Sequence, residues 1–473
     1  MAFVMLNIGE RALAAQQLAM DITGQNLANV TTPGYQRQQV VLTDPPPVLL
    51  PGTGSQPNYV GQGVTVSQVN RVSNAFLSRS VRAQTSQAGA WSAISTALAQ
   101  LEPLFAEPSS TGLAEAMNSF FGAWQTVSQN PANLPARTAL LGQAQQLVSN
   151  FQGLAQQLVN EQSNLDQSVT TQVAQVNQLA AQLATLNQSI AAATGTGATP
   201  NDLLNQRGEI LNQLAKIANI SYAVNPNGSV DVYLGSQALV LNHTTYALAA
   251  RFNPATGVHD VVFQNGAVPQ LSSGTLYGTL VVRGVSQGSA LVGDIPTYLA
   301  RLNTLATGLA NAVNSLQAQG YGLNGTAPTG IPFFTNAGLG AGGIQVNPTL
   351  VAHPDLVAAS SAPSSPGNGQ NALAIADIAQ TPVALGGTAP HTLASYWTSL
   401  VSQVGLDGQS ASTRSTTASN TLADLNAALQ SQVGVNPDQA SVNLIQEEQS
   451  YRAAVQVITT EQSTMGALLA AVG

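Results

Sequence analysis

The residue pattern nearest to a catalytic one is Gly284-Val285-Ser286-Gln287-Gly288, a match to the G-x-S-x-G turn that presents a nucleophilic serine in hydrolases. Asp355 and His391 follow in the chain order such enzymes use, and Leu280–Val282 ahead of the turn reads as strand-like. The turn needs a doubly wound parallel sheet to hold its serine, yet nothing along this chain alternates strand with helix. With 42 glycines present, a chance match is unsurprising. A secreted hydrolase using Ser286 is therefore the remote alternative, and no catalytic residue is assigned. His243, His259, His353 and His391 lie far apart and form no closely spaced ligand pair, so no metal residue is assigned. Gly61-Gln62-Gly63 lacks the third glycine and the opening helix of a dinucleotide loop, so no cofactor is expected.

Composition narrows the classes further. At 473 residues the chain is too long for one core. Only 7% of residues are charged, far below the roughly 25% usual for soluble proteins. Polar surface must then come from Gln, Asn, Ser and Thr. A net charge of −8 argues against nucleic acid, and Arg37, Arg71, Arg79 and Arg82, the densest basic grouping, are too spread to track phosphates. The absence of cysteine excludes disulfides, thiolate zinc sites and cysteine nucleophiles. No apolar run reaches the roughly 18 residues of a membrane span. The opening residues MAFVMLNIGER have neither the basic segment nor the apolar core of a cleaved secretory signal.

With chemistry nearly absent, the elements themselves carry the information. Leu6, Leu13, Met20 and Leu27 recur every seven residues, beside a row of Met5, Ile8, Ala12, Ala15, Ala19 and Ile22. At the other end Leu444, Glu448, Tyr451, Val455, Ile458, Gln462, Met465 and Leu469 keep a 4-3-4-3 rhythm. Such spacing lays a narrow seam along one side of a helix, suited to packing on another helix. Neither terminal helix can bury its seam alone, so they are expected to pair with each other, with the rest of the chain or with other molecules.

Between them, the first helix should stop near Asn29, because Thr32-Pro33-Gly34 cannot continue it. Residues 35–68, punctuated by Asp44-Pro45-Pro46-Pro47, Pro51-Gly52, Gly54, Gly61 and Gly63, read as an extended linker with short strands. Helical patterns resume near Asn74 and over Leu113–Gln129, and Pro135 opens the longest one, reaching about Ile190. Its flanks carry Gln, Asn and Ser rather than paired Glu and Lys, which points to a rod element packed within its own domain. From 220 the period switches to two. Asn225-Pro226-Asn227-Gly228 is a hairpin turn between Ser221–Val224 and Val230–Leu234, and Tyr246–Phe252 and His259–Phe263 follow as strands. Helix is expected again over Ile295–Gln319, near Leu393–Val404, over Thr413–Gln432, and after Asn436-Pro437-Asp438.

These readings predict a mainly α chain with an inserted β domain, on a long coiled-coil-like helical frame built from both halves. The expected segments are 1–70 (assembly helix and linker), 71–219 (first half of the helical rod), 220–290 (small β domain), 291–435 (second half of the rod, with loops) and 436–473 (second assembly helix).

Specific motifs then point to a family. Ala14-Ala15-Gln16-Gln17-Leu18-Ala19 followed by Asn26-Leu27-Ala28-Asn29-Val30-Thr31-Thr32-Pro33-Gly34-Tyr35 resembles the N-terminal signature of the bacterial flagellar axial proteins of rod, hook and hook-associated type. Thr31 stands where that signature usually has Asn. Gly61-Gln62-Gly63-Val64-Thr65-Val66, Arg71 and Phe76-Leu77 are similar to the next block of the hook-associated branch, with Asn74 where Asp is common. Gln317-Ala318-Gln319-Gly320-Tyr321 before Phe333-Phe334, and Gly434-Val435-Asn436, Asn443-Leu444-Ile445-Gln446 and Gln449-Ser450-Tyr451-Arg452-Ala453-Ala454, are similar to its later landmarks. The resemblance implies a non-enzymatic, cofactor-free structural subunit, exported without a cleaved signal and located outside the cell in the flagellum. Its implied partners are identical subunits in a ring, the hook protein, a second hook–filament junction protein and an export chaperone, with no nucleic acid and no membrane insertion. A hook or distal-rod subunit of the same family is the alternative. The expected assembly residues are Leu6, Ile8, Leu13, Met20, Asn26, Leu27, Asn29, Pro33, Gly34 and Tyr35 at one end, with Leu444, Tyr451, Val455, Ile458, Met465 and Leu469 at the other.

Overall fold

The computed structural model describes residues 2–50, 58–107, 109–386 and 390–472; the expected turns at Pro51-Gly52 and Gly54 lie outside them. Helix α1 (Ala2–Ala28) leads into strands β1 (Gln38–Thr43), β2 (Val48–Leu50), β3 (Asn58–Val60) and β4 (Thr65–Arg71). These form two antiparallel ribbons, β1 with β4 and, beyond them, β2 with β3. Helices α2 (Ala75–Leu101), α3 (Leu113–Gln129), α4 (Leu134–Gly195) and α5 (Asn201–Ile217) follow. Strands β5 (Ile220–Val224), β6 (Val230–Leu234), β7 (Gln237–Leu241) and β8 (Thr244–Thr245) make an antiparallel sheet in sequence order, and β9 (Leu248–Asn253) and β10 (Val258–Phe263) a separate hairpin. Then come α6 (Thr275–Arg283), the short hairpin β11 (Val285–Gln287) and β12 (Ala290–Val292), and α7 (Asp294–Gln319). A loop-rich stretch holds β13 (Phe334–Thr335), β14 (Gln345–Val346), α8 (Pro348–Ala352) and α9 (Gln370–Ala376). The chain closes with α10 (Leu393–Val433) and α11 (Pro437–Val472).

Local chemistry explains the helix starts. Asn74 accepts a hydrogen bond from Leu77 N, Asn133 from Ala136 N and Thr392 from Ser395 N, each satisfying an otherwise orphaned first-turn donor. Asn436 does the same for Asp438 N and Gln439 N. At 62 residues α4 is about 93 Å long at the usual helical rise.

Two hydrophobic cores hang on that one helix. Leu140, Leu147, Phe151 and Leu158 of its first half are fully buried among α2, α3, α7 and α10, and Phe120, Trp124, Phe333 and Phe334 form the aromatic centre of this core. Trp124 and Phe333 have ring centroids 5.3 Å apart, so the Phe-Phe landmark is a packing element. Val169, Val176, Leu183 and Ile190 of the second half are fully buried, the first three in a second core with α5, α6 and the inner faces of β6, β7 and β9. The 4-3-4 stripe on α4 therefore buries on its own chain, as its uncharged flanks predicted.

Where the cores meet, Asp166 of α4 accepts from Arg283 Nη1 at 2.5 Å, His259 N at 2.9 Å and His259 Nδ1 at 2.6 Å. One carboxylate thus ties α4, β10 and the end of α6 together. Burial raises the Asp166 pKa, but the hydrogen bonds from His259 and the charge of Arg283 outweigh it and leave the carboxyl below its ordinary range. Arg137 is a second buried cation. It donates to Pro131 O from Nε at 2.8 Å and also to Val357 O, and burial lowers its pKa to about 10.

Two local expectations are corrected. Leu280–Val282 is the last turn of α6, not a strand, because Leu276, Leu280 and Val282 pack at helical spacing into the two cores. The helices near 393–404 and 413–432 are one continuous helix, α10. Gly408, within the stretch between them, is buried against the Glu102 side chain. Helix α5 carries no sequence expectation above, although Leu204, Leu211 and Leu214 supply a short stripe.

Candidate assembly interface

Helix α1 and helix α11 lie against each other as an antiparallel pair. A Cβ on Gly9 would fall 2.8 Å from Ile458 Cγ1, while Thr23 Oγ1, further along α1, donates to Glu447 Oε1 at 3.0 Å. Gly9 and Thr23, both buried, are small where α1 faces α11, which lets the two backbones approach. The opposite side of α1 rests on the β1–β4 ribbon and its connection. A Cβ on Gly63 would sit 3.0 Å from Ile8 Cγ2, and Gly63 also has φ of 79°, so both space and backbone demand glycine there.

The turn after α1 is held by one side chain. Asn26 Oδ1 accepts from Tyr35 OH at 2.9 Å and Gln38 N at 2.8 Å, while its Nδ2 donates to Gln38 O at 2.7 Å. Asn29 Nδ2 donates to Gln25 O at 3.0 Å, and Thr32 Oγ1 donates to Asn29 Oδ1 at 3.1 Å. Gly34 takes φ of 75°, which L side chains rarely adopt. The motif from Asn26 to Tyr35 thus folds the chain back onto its own helix. Burial, reinforced by Asp202, raises the Tyr35 pKa and keeps its hydroxyl a donor. Arg37 N then donates to Val433 O at 2.9 Å, joining this turn to the end of α10.

The expected assembly residues divide in this setting. Asn26 and Tyr35 are buried; Leu6, Ile8, Leu13, Met20, Leu27, Asn29 and Gly34 are half-buried; Pro33 is exposed. On α11, Leu444, Tyr451, Val455, Ile458 and Met465 are half-buried, but Leu469 is 71% exposed. The sheltered row of α11 is Ala440, Leu444, Glu447, Tyr451, Ala454, Ile458, Glu461 and Met465. Half of the expected heptad is in place. In its other half Glu448 and Gln462 are exposed and their neighbours Glu447 and Glu461 are the sheltered ones, while Ala454 is buried beside a half-buried Val455. Glu448 instead faces outward and pairs with Arg452 one turn on. Glu447 has its second oxygen, Oε2, buried without a partner, and burial raises its pKa despite the bond from Thr23.

This terminal layer is incompletely packed and apolar outside. A cavity of about 330 Å³ remains between α1, β1 and α11, lined by Ile22, Thr23, Asn26 and Glu447 among others. Met5, Val442, Ile445, Val457 and Leu468 are each 41–60% exposed on the two helices.

The serine alternative loses its context. Helix precedes the Gly284–Gly288 segment and a hairpin contains it, the reverse of a strand–serine–helix elbow. Ser286 Oγ pairs with Thr256 Oγ1 at 3.1 Å. No hydrogen bond among the described residues links Ser286, Asp355 and His391. Asp355 lends its backbone oxygen to Leu323 N, and His391 exchanges backbone bonds with Val383.

Residues 98–334, half of the chain, match the family described as the flagellar hook-associated protein FlgK helical domain, and residues 6–36 match that of the flagella basal body rod protein. The chain belongs to the flagellar hook-associated FlgK family. It is a structural subunit of the flagellar hook–filament junction. Flagellar hook-associated protein 1 of Bacillus subtilis is 27% identical over 100% of this chain and 98% of its own length. The same-named protein of Salmonella typhimurium is 30% identical over 68% of this chain, which spans 58% of that longer relative. In fold, the chain is similar to the flagellar hook junction protein FlgK of Burkholderia pseudomallei, with a TM-score of 0.62 at 18% identity, covering 74% of this chain and 99% of that one.

Proposed function

We propose that the α1–α11 pair, with the β1–β4 ribbon, is the unit through which this subunit joins a ring of identical copies, held between hook protein and a second junction protein. The observation that carries this reading is the contrast between layers. The two central cores are closed, whereas the terminal helices expose Met5, Val442, Ile445 and Leu468 and leave a cavity and an unpartnered carboxylate oxygen between them. Neighbouring subunits would cover these apolar faces, and the area buried would offset the entropy of ordering the ends. On this reading segments 1–70 and 436–473 form the assembly unit, the subunit acts outside the cell without enzymatic activity, and it reaches the flagellum by export with a chaperone.

A strain lacking the protein should build hooks but shed filament subunits into the medium; normal filaments would refute the reading. A hook or distal-rod subunit would instead leave no complete hook. Leu13→Asp and Ile458→Asp should impair incorporation far more than they alter melting of the central cores, since a buried unpaired carboxylate is costly only where the seam is covered. Hydrogen exchange decides the order of events. Assembly-coupled folding requires weak protection of residues 6–27 in the free subunit and strong protection in the junction.

A further inference from the structure

Three arginines from three separate elements converge on one cavity with no acid to balance them. Arg71 at the end of β4, Arg82 on α2 and Arg207 on α5 line a space of about 280 Å³, closed on its other sides by the Gly34–Gln36 turn, Tyr222 of β5 and the last turns of α10. The chain has 21 acidic residues against 13 basic ones, so a shortage of carboxylates does not explain their absence here. The guanidinium groups donate only to neutral acceptors: Arg71 Nη1 to Asn205 Oδ1 at 3.2 Å, Arg82 Nε to Asn212 Oδ1 at 3.0 Å and Nη1 to Tyr222 OH at 2.6 Å, and Arg207 Nη1 to Gly228 O at 2.5 Å. Each group keeps further N–H donors beyond these bonds.

The nearest carboxylates are otherwise engaged. Glu209 lies against Gly34 and accepts from Gln213 at 3.1 Å, and Asp202 accepts from Gln38 at 3.0 Å. Neither forms an ion pair with the cluster. Burial lowers the pKa of all three arginines, and they add to one another's strain: Arg82 depresses Arg71, and both depress Arg207, which falls to about 10. Partly buried like charges without a counter-charge are costly, and planar guanidinium forks match the oxygens of phosphate and carboxylate groups.

We propose that the Arg71–Arg82–Arg207 cavity is an oxyanion-binding site that takes a phosphate or carboxylate group. The bound anion neutralises the cluster and clamps together the turn after α1, the start of α2, α5, β5 and the end of α10. Occupancy therefore stiffens the joint between the terminal layer and the rod, independently of which neighbours the terminal helices contact.

The test uses the full chain, titrated calorimetrically with sodium phosphate and separately with sodium glutarate, with chloride making up constant ionic strength so that general screening cancels. Saturable binding of at least one anion is expected, weakened about tenfold or more by Arg207→Gln, the loss of one or two charge-assisted hydrogen bonds. Arg71→Gln, at the more open edge of the cavity, keeps the test decisive if Arg207→Gln does not fold. It too should weaken binding, with an unchanged circular dichroism spectrum. Preference for phosphate identifies a free anion as the occupant; preference for glutarate identifies a side-chain carboxylate. No saturable binding of either anion, or binding unaffected in both variants, overturns the proposal.

Discussion

Asp166→Ala probes the point where the two cores are joined. The wild-type carboxylate accepts from Arg283 Nη1, His259 N and His259 Nδ1, and the Arg283 side chain is only 1% exposed. Truncation leaves Arg283 with Nε on Gly284 O at 3.0 Å and Nη1 on His259 O at 2.7 Å, and only the charge of Asp260, with no direct ion pair, to balance it. Removing one partner of a buried pair costs about 3–5 kcal/mol, a large share of the roughly 5–15 kcal/mol that holds a domain together. A chain with two cores need not unfold in one step, so the readout should be local. Hydrogen exchange of the β9–β10 amides is expected to accelerate by a factor on the order of 10² to 10³ at that cost. The double variant Asp166→Ala/Arg283→Met removes both charges and should recover most of the lost protection. The Asp166 pKa is lower folded than unfolded, so the triad's stabilisation is complete above the unfolded value near 4 and fades as pH falls through the folded value. The single variant should lack that acid sensitivity. An effect of Asp166→Ala below about 1 kcal/mol, or no recovery in the double variant, would refute the argument that this charge pair joins the cores.

Asn26→Ala removes three hydrogen bonds at once and should destabilise the turn after α1 by about 2–4 kcal/mol, seen as faster exchange at Gln38 N with the cores unaffected. Gly9→Val places a branched side chain where a single Cβ already comes within 2.8 Å of Ile458 Cγ1, and should separate α11 from α1, measured as increased proteolysis within α11. Burial and Asp407 raise the Asp294 pKa to about 6. Stability should therefore fall as pH rises from about 4, the unfolded value, through that folded value. Asp294→Asn should melt higher than wild type at pH 8 and lose that advantage at pH 4; an equal difference at both pH values would contradict it.

Much of this protein was legible in one dimension because the signals are local. Asn74, Asn133, Thr392 and Asn436 cap the helices they precede, Pro135 sits in the first turn of α4, and Asn227-Gly228 turns the β5–β6 hairpin. The long apolar stripe of α4 and its uncharged flanks announced a helix buried by its own chain. The motif from Asn26 to Tyr35 marked the family, and the side chains of Asn26, Asn29, Thr32 and Tyr35 all find partners within twelve residues. What tertiary structure alone decided depends on contacts across hundreds of residues. Glu447 rather than Glu448 turns inward on α11, where it accepts from Thr23, 424 residues away. Helix α10 runs unbroken through 405–412, where Gly408 and Ala411 are buried against other elements, a contact that no local pattern contains. Along the chain Arg71 and Arg82 belong to a loose basic grouping too spread to track phosphates, and Arg207 stands far from it. Only the packing of β4, α2 and α5 brings them to one cavity, because charge density in space follows the fold and not the spacing in sequence.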